Sequence, residues 1–422
     1  MRDEEYGALL LRPLDGEPDA PSKIDVAKAM RDGRHRRGRR WWAGGSALVA
    51  AVAAASVGGV LATGGGTPPK PKVLPPDPPM PGACVPAMLP IGGHPDANLT
   101  AGDPSGTWHA GVSEPNYHEP PVFNSLLIWR GGQLVTDAKA PASSFGVRDI
   151  NGAGVAVGFS DTGANQPFAY RNGSFHKLAG GAGEPVAIND AGVIVGNVGP
   201  TENETRPVRW RSLTAPAEPL PLPAGVRPGE VRVRDIAEDG SIVAEIGRGG
   251  YLWSPDGTGR FLKPPKGHYP APSMSPIPLP SGMPSVEARL PFPDTSSAGV
   301  DPQFTPLTFA RGWIYGHLLS ESSITLPYRY DPRSDTWQRL GDASTQADLS
   351  GNGMFAGDRT AAYVGRALLT LPLPPEAASP KEGENWMSLT SIGDDARTVG
   401  GSMISGRADP SHRDRPVIWR CR

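Results

Sequence analysis

VRDINGAGVAVGFS (147–160), continued by PFAYRNGSFHKL (167–178), is the stretch on which the fold turns. An apolar strand runs into an Asn-Gly turn, and Val155 to Phe159 form a second strand that comes back. Asn and Gly adopt the positive φ that tight hairpins need and that β-branched residues avoid. A third strand carries an aromatic followed by arginine, Tyr170-Arg171, and another Asn-Gly turn leads to a fourth strand ending at Leu178. Four short antiparallel strands within about 32–40 residues predict one blade of a β-propeller.

The phrase recurs along the chain. GDPSGTWHAG (102–111) with SLLIWRGGQLV (125–135) is a first version, and the stretch above is the second. VAINDAGVIVGNV (186–198) with RPVRWRS (206–212) is the third, and VRDIAEDGSIVAEI (233–246) with YLWSPDGTGRFL (251–262) the fourth. FARGWIYGHLL (309–319) with PYRYDPRSDTWQRL (327–340) is the fifth, and DLSGNGMFAGD (348–358) with GRALLTL (365–371) the sixth. SIGDDARTVGGS (391–402) with RPVIWRCR (415–422) ends the series. The third-strand aromatic recurs as Trp129, Tyr170, Trp210, Trp253, Tyr330 and Trp419, with Leu369 in its place in the sixth copy. Such rings are expected to fill the space between neighbouring blades. A small residue follows the second strand's apolar pair (Gly158, Gly196, Ala244, Gly316, Gly357, Gly400), which suits close packing near a ring centre. The reading is all-β: a seven-bladed β-propeller over 84–422.

Composition agrees. Gly (54) and Pro (49) make up about a quarter of the 422 residues, far too much for a helical fold. A net charge of −2 gives no basic field, so nucleic acid is not an expected partner.

The first 83 residues differ in kind. Residues 1–40 are polar, with one short helix predicted over 21–33, where Ser22 and Asp25 form a capping-box pattern. Five arginines in RHRRGRR (34–40) precede WWAGGSALVAAVAAASVGGVLAT (41–63), an uncharged run long enough to cross a bilayer. The arginines belong on the cytoplasmic side. This predicts a single-pass signal anchor in the cell membrane, with an N-terminal cytoplasmic tail and an extracytoplasmic C-terminal domain. Eight prolines in 64–83 read as an extended linker, able to hold the domain roughly 50 Å from the membrane.

The motif [DN]-x-G-x-V-x-G followed by an aromatic-Arg strand resembles the HAF family of bacterial extracellular repeats, over about 300 residues. That resemblance implies an exported, propeller-like domain. YDPRSDTWQRL (330–340) is similar to a kelch hairpin, and the first 40 residues resemble the tails of actinobacterial single-pass membrane proteins.

KPPKGHYPAPSMSPIPLPSGMPSVEARLPFPDTSSAGVD (263–301) interrupts the repeats and joins an outer strand to the next inner one. It reads either as an unstructured excursion or as a flap over the channel and a polyproline ligand. No G-x-S-x-G elbow, H-E-x-x-H helix or P-loop occurs, and no cofactor or metal is expected. Asp149-x-Asn151 and Ser254-Pro-Asp-Gly read as turn chemistry rather than as a calcium loop or a sialidase box. His94, Asp103, His109, His118 and Glu119 form the one local concentration of groups suited to acid–base, metal or binding work, with solvated loop residues as the plainer reading.

The seventh copy lacks a fourth strand, because RPVIWRCR ends the chain. CVPAMLPI (84–91) supplies a spare strand at the other end, and the two cysteines, Cys84 and Cys421, fall at that junction. A disulfide closing the ring is predicted, in a compartment where it can persist. The function expected is an extracytoplasmic binding or interaction module for a cell-wall glycan, a peptide or a protein. A propeller hydrolase or lyase with its site in the loops is one alternative. A transmembrane sensor or regulator is the other.

Overall fold

The structure is a computed structural model. It describes residues 74–114, 124–142, 145–161, 165–201, 204–247, 249–264, 303–319, 325–340, 349–350, 355–356, 361–375, 385–405 and 414–422. The tail, the 41–63 run and all but the first two residues of the 263–301 insert lie outside these. Among the described residues, no helix is long and apolar enough to cross a membrane.

The strands form four-stranded antiparallel sheets, each ordered inner to outer by sequence except the last. Blade 1 is Asp96–Gly102, Trp108–Glu114, Ser125–Arg130 and Gln133–Lys139. Blade 2 is Phe145–Ile150, Ala156–Asp161, Asn165–Arg171 and Ser174–Lys177. Blade 3 is Gly183–Ile188, Ile194–Val198, Arg206–Trp210 and Glu218–Pro219. Blade 4 is Val231–Ile236, Ile242–Ile246, Gly249–Trp253 and Gly259–Leu262. Blade 5 is Gln303–Ala310, Trp313–Leu319, Thr325–Asp331 and Thr336–Arg339. Blade 7 is Asn385–Ile392, Thr398–Ser405 and Arg415–Cys421, completed by Cys84–Met88.

The expectation of a seven-bladed propeller is corrected: among the described residues, six blades have full inner strands. The sheet between them, Leu349–Ser350, Phe355–Ala356, Ala361–Val364 and Ala367–Thr370, has two inner strands of only two residues each. In this reduced blade 6, Leu369 belongs to the fourth strand rather than the third. The third strand is AAYV, and it carries the buried Tyr363. A short Gly365-Arg366 hairpin there mimics the start of a repeat strand, which is why the sequence pattern slips by one strand.

Ring closure follows the sequence reading. Cys84–Met88 pairs antiparallel with the last strand, Cys84 opposite Cys421 and Pro86 opposite Trp419. The two cysteines form a disulfide with their Cα atoms 4.0 Å apart.

The core lies between blades. Trp129, Tyr170, Trp210, Trp253, Tyr330 and Trp419 are all buried. Four of the tryptophans use Nε1 in the same way, donating to a carbonyl on the segment that enters their blade. The acceptors are Pro90 for Trp129 (2.7 Å), Ala179 for Trp210 (2.7 Å), Pro221 for Trp253 (2.8 Å) and Pro372 for Trp419 (2.7 Å). Each ring thus fills an interface while its own N–H is satisfied by the segment that enters the blade.

Every full inner strand carries a β-bulge at one place, for example between Val147 and Asp149 and between Val233 and Asp235. The glycine opposite the bulge is explained by this close approach rather than by crowding at the ring centre. A Cβ on Gly158 would lie 2.0 Å from the Gly146 carbonyl oxygen. Bulges re-aim side chains, and here they turn Asp149 and Asp235 towards the next blade.

The described part of the linker, 74–83, is mostly exposed and touches the domain at Leu74, at Asp77 and at Gly82. Leu74 packs against the cluster of Trp313, Tyr315, Leu340, Ala361 and Tyr363, between blades 5 and 6. The Asp77 carboxylate takes two hydrogen bonds from Arg329, at 2.6 and 2.7 Å. Gly82 N donates to Arg422 O at 2.7 Å. Proline fixes the extended shape, and the apolar and acidic residues between the prolines do the docking.

Candidate functional site

The alternating strands sort the connections onto two faces. Hairpins joining strands 1–2 and 3–4 lie on one, the hairpin face, where the longest connection is 211–217. Connections 2–3 and 4–1 start and end on the other, the loop face, where the strand ends bounding 115–124, 220–230, 263–302, 371–384 and 406–414 fall.

The five polar residues singled out from the sequence do not assemble into one site. His94 lies in the connection entering blade 1, on the loop face, with Nε2 3.0 Å from Asp137 on the blade's outer strand. Both side chains are partly exposed, so the pair is a solvated rim contact. Asp103 and His109 are at the opposite end of blade 1. Asp103 is buried and caps its own hairpin, accepting from Trp108 N (2.6 Å), Ser105 N (3.1 Å) and Ser105 Oγ (2.5 Å). His109 is 1% exposed, on the second strand, at the seam with blade 7. Burial lowers its pKa to about 4, and the nearby Asp103 carboxylate only partly offsets this. Among the described residues its Nδ1 has no hydrogen-bond partner, and burial favours the neutral imidazole. His118 and Glu119 lie outside the described residues.

A second set of carboxylates was not anticipated. Asp149 accepts from Ile150 N and, across the interface, from Ile188 N of blade 3, both at 2.8 Å. Asp235 accepts from Ile236 N (2.7 Å) and from Phe309 N and Thr308 Oγ1 of blade 5 (2.6 Å each). Burial pushes the Asp149 carboxyl well above its ordinary range, and the Asp235 charge adds to this. Asp235 itself is raised to about 6 by burial, against the pull of its donors. Around them the hairpin turns are linked blade to blade. Asn151 Nδ2 donates to Asn189 O (2.9 Å), Asn189 Nδ2 to Ala237 O (3.2 Å), and Asp190 N to Glu238 Oε2 (3.0 Å). These groups are engaged in holding blades 2 to 5 together. Asp149-x-Asn151 is therefore a turn and a blade clamp. Among the described residues, no three His, Cys, Asp or Glu side chains are placed to hold a metal ion.

No family model matches the chain, and no curated protein matches it. Solved structures resemble it in fold. The chain is 12% identical to YCF48 bound to a D1 peptide, with a TM-score of 0.41, covering 81% of this chain and 99% of that one. TolB from Acinetobacter baumannii gives 11% identity and a TM-score of 0.35, covering 75% and 64%. A chain from a structural and mechanistic analysis of two prolyl endopeptidases gives 10% identity and a TM-score of 0.43, covering 78% and 50%. The chain thus spans less than two thirds of the length of the latter two. At these identities and scores the likeness is to the β-propeller scaffold alone.

Proposed function

We propose that this chain is an extracytoplasmic binding module, held at a membrane by the 41–63 run and presenting its loop face to a ligand in the cell wall. The observation that carries the reading is the asymmetry of the ring. Short, cross-linked hairpins rigidify one face, while the strand ends that bound the long connections 115–124, 263–302 and 406–414 all fall on the other. Function tends to reside on loops positioned by a rigid scaffold. The closing disulfide fits an oxidising compartment. The resemblance to HAF repeats points the same way. Against a hydrolase or lyase stands the commitment of Asp103 and His109 to the fold.

Co-sedimentation of the purified full chain with peptidoglycan sacculi tests this. Saturable retention is expected, reduced at least tenfold when 265–302 is replaced by a Gly-Ser segment. Absence of saturable retention, on sacculi with and on sacculi without their attached proteins, would overturn it.

A further inference from the structure

Three departures from the repeat pattern coincide between blades 5 and 6. The first is Arg329. The residue just before the third-strand aromatic is a buried aliphatic in blades 1, 2, 4 and 7 (Ile128, Ala169, Leu252 and Ile418), and in blade 3 it is Arg209, paired with Glu218 of its own blade at 3.2 Å. In blade 5 it is an arginine that is 3% exposed. Its guanidinium lies over the Trp313 ring at 4.1 Å and donates to Gln338 Oε1 through Nε (3.0 Å) and Nη2 (2.8 Å). The one carboxylate it meets among the described residues is Asp77. The second departure is Arg311. It holds φ at 53° in a two-residue hairpin, a conformation suited to Asn or Gly and strained for a long side chain. From there its Nη2 donates to Pro76 O at 2.5 Å. The third is the reduced blade 6, whose Gly365 hairpin leaves room for Asp77; a Cβ on Gly365 would lie 2.4 Å from the Asp77 Cγ.

All three face Leu74–Asp77. A strap that merely filled space would be served as well by an aliphatic residue at 329, because a buried ion pair rarely outperforms apolar packing of the same volume. What the arginine adds is recognition: a forked donor pre-set by Trp313 and Gln338 reads a carboxylate bidentately. Prolines on both sides of the aspartate present it from a pre-ordered chain.

We propose that the groove between blades 5 and 6 is a binding site for acidic, proline-rich peptides with an apolar residue three positions before an aspartate, and that Leu74–Asp77 is its tethered occupant. Leu74 fills the apolar end, Arg311 takes the carbonyl before the aspartate, and Arg329 takes the carboxylate. Tethering gives the strap an effective concentration on the order of millimolar, so a peptide in trans competes only when abundant or when the strap is drawn off. This site is on the hairpin side of the ring and is independent of the loop-face reading above.

The test uses the full chain with Leu74→Ala and Asp77→Ala, and a fluorescein-labelled peptide of sequence VLPPDPPM read by anisotropy. Saturable binding is expected. It should weaken at least tenfold for the unaltered chain, for a peptide carrying Asn in place of Asp, and when Arg329→Met is added. Equal binding of the Asp and Asn peptides, or binding of neither by a variant with native circular dichroism and an intact disulfide, would overturn the proposal. Should the double variant not fold, millimolar peptide added to the unaltered chain is expected to shift the Leu74 methyl resonances as the strap leaves the Trp313 cluster. No difference between the Asp and Asn peptides in that experiment would equally overturn it.

Discussion

The ring is held by material from ahead of its first blade at two places, and the two use different chemistry. At the seam between blades 7 and 1, Cys84–Met88 adds a whole strand, through backbone pairing and one covalent bond. Between blades 5 and 6, Leu74–Asp77 adds no strand; it is fixed by side chains, chiefly one carboxylate on one buried guanidinium. Backbone pairing is tolerant of sequence, and a disulfide is permanent until reduced. An ion pair is selective and reversible. The first closure makes the ring; the second can be read and released.

Breaking the seam should have the largest effect. Replacing Cys84 and Cys421 by serine removes a cross-link spanning 337 residues, worth roughly 5 kcal/mol by the chain-entropy argument. Urea unfolding should show a loss of that order, with amides of the 84–88 strand exchanging before those of blades 2 to 4. A midpoint unchanged within error would mean that the strand alone holds the seam.

The seam should also be the acid-sensitive side. His109 has its pKa lowered to about 4, against an ordinary 6.5. Between those values the unfolded chain binds more protons, so this contribution is complete above pH 6.5 and is lost as pH falls through 4. It amounts to about 3 kcal/mol. Asp235, raised to about 6, acts in the opposite sense, stabilising as pH falls from 6 towards 3.8. A His109→Gln variant isolates the imidazole: its stability should fall less steeply than the parent's near pH 5, by close to one proton. Parallel acid limbs would show that His109 is not sealed.

At the other closure, Asp77→Ala leaves a guanidinium buried without a counter-charge. Breaking a fully buried pair costs about 3–5 kcal/mol, but Asp77 is about a third exposed, so roughly 2 kcal/mol is expected by thermal or urea unfolding. The smallest effect sharpens the contrast. Adding Arg329→Met to Asp77→Ala should restore stability to within about 1 kcal/mol of the parent while abolishing recognition of the aspartate. A double variant as unstable as Asp77→Ala would assign the arginine a structural role that methionine cannot fill.

Much of the ring was legible because its determinants are local. Asn151-Gly152 and Asn172-Gly173 announce hairpins, alternation marks the strands, and a missing last strand beside two cysteines points to the closure. Blade 6 misled because Gly365-Arg366 imitates a repeat while its inner strands shrink to two residues. His109 read as reactive because its burial is set by blade 7, nearly 300 residues away. Arg329 and Asp77 could not be paired from spacing, since 252 residues separate them and Asp77 sits among prolines that read as a spacer. The available signal was small: RYD at 329–331 puts a charge where blades 1, 2, 4 and 7 keep an aliphatic residue, and unlike Arg209 of blade 3, which pairs with Glu218 of its own blade, Arg329 takes its carboxylate from outside the blade.

The disulfide also has a consequence for the order of assembly. Cys84 belongs to the first strand made and Cys421 to the last, so the opening strand must wait, unpaired and with a free thiol, until the rest of the chain has emerged. Pairing of such distant segments is slow, and an unpaired edge is exposed to wrong partners. The groove that holds Asp77, which ends with the Gly365 hairpin, is complete about fifty residues before the final strand, Arg415–Cys421. By seizing Asp77, it parks the waiting strand beside the gap it will fill, turning a search across the whole chain into a short local step.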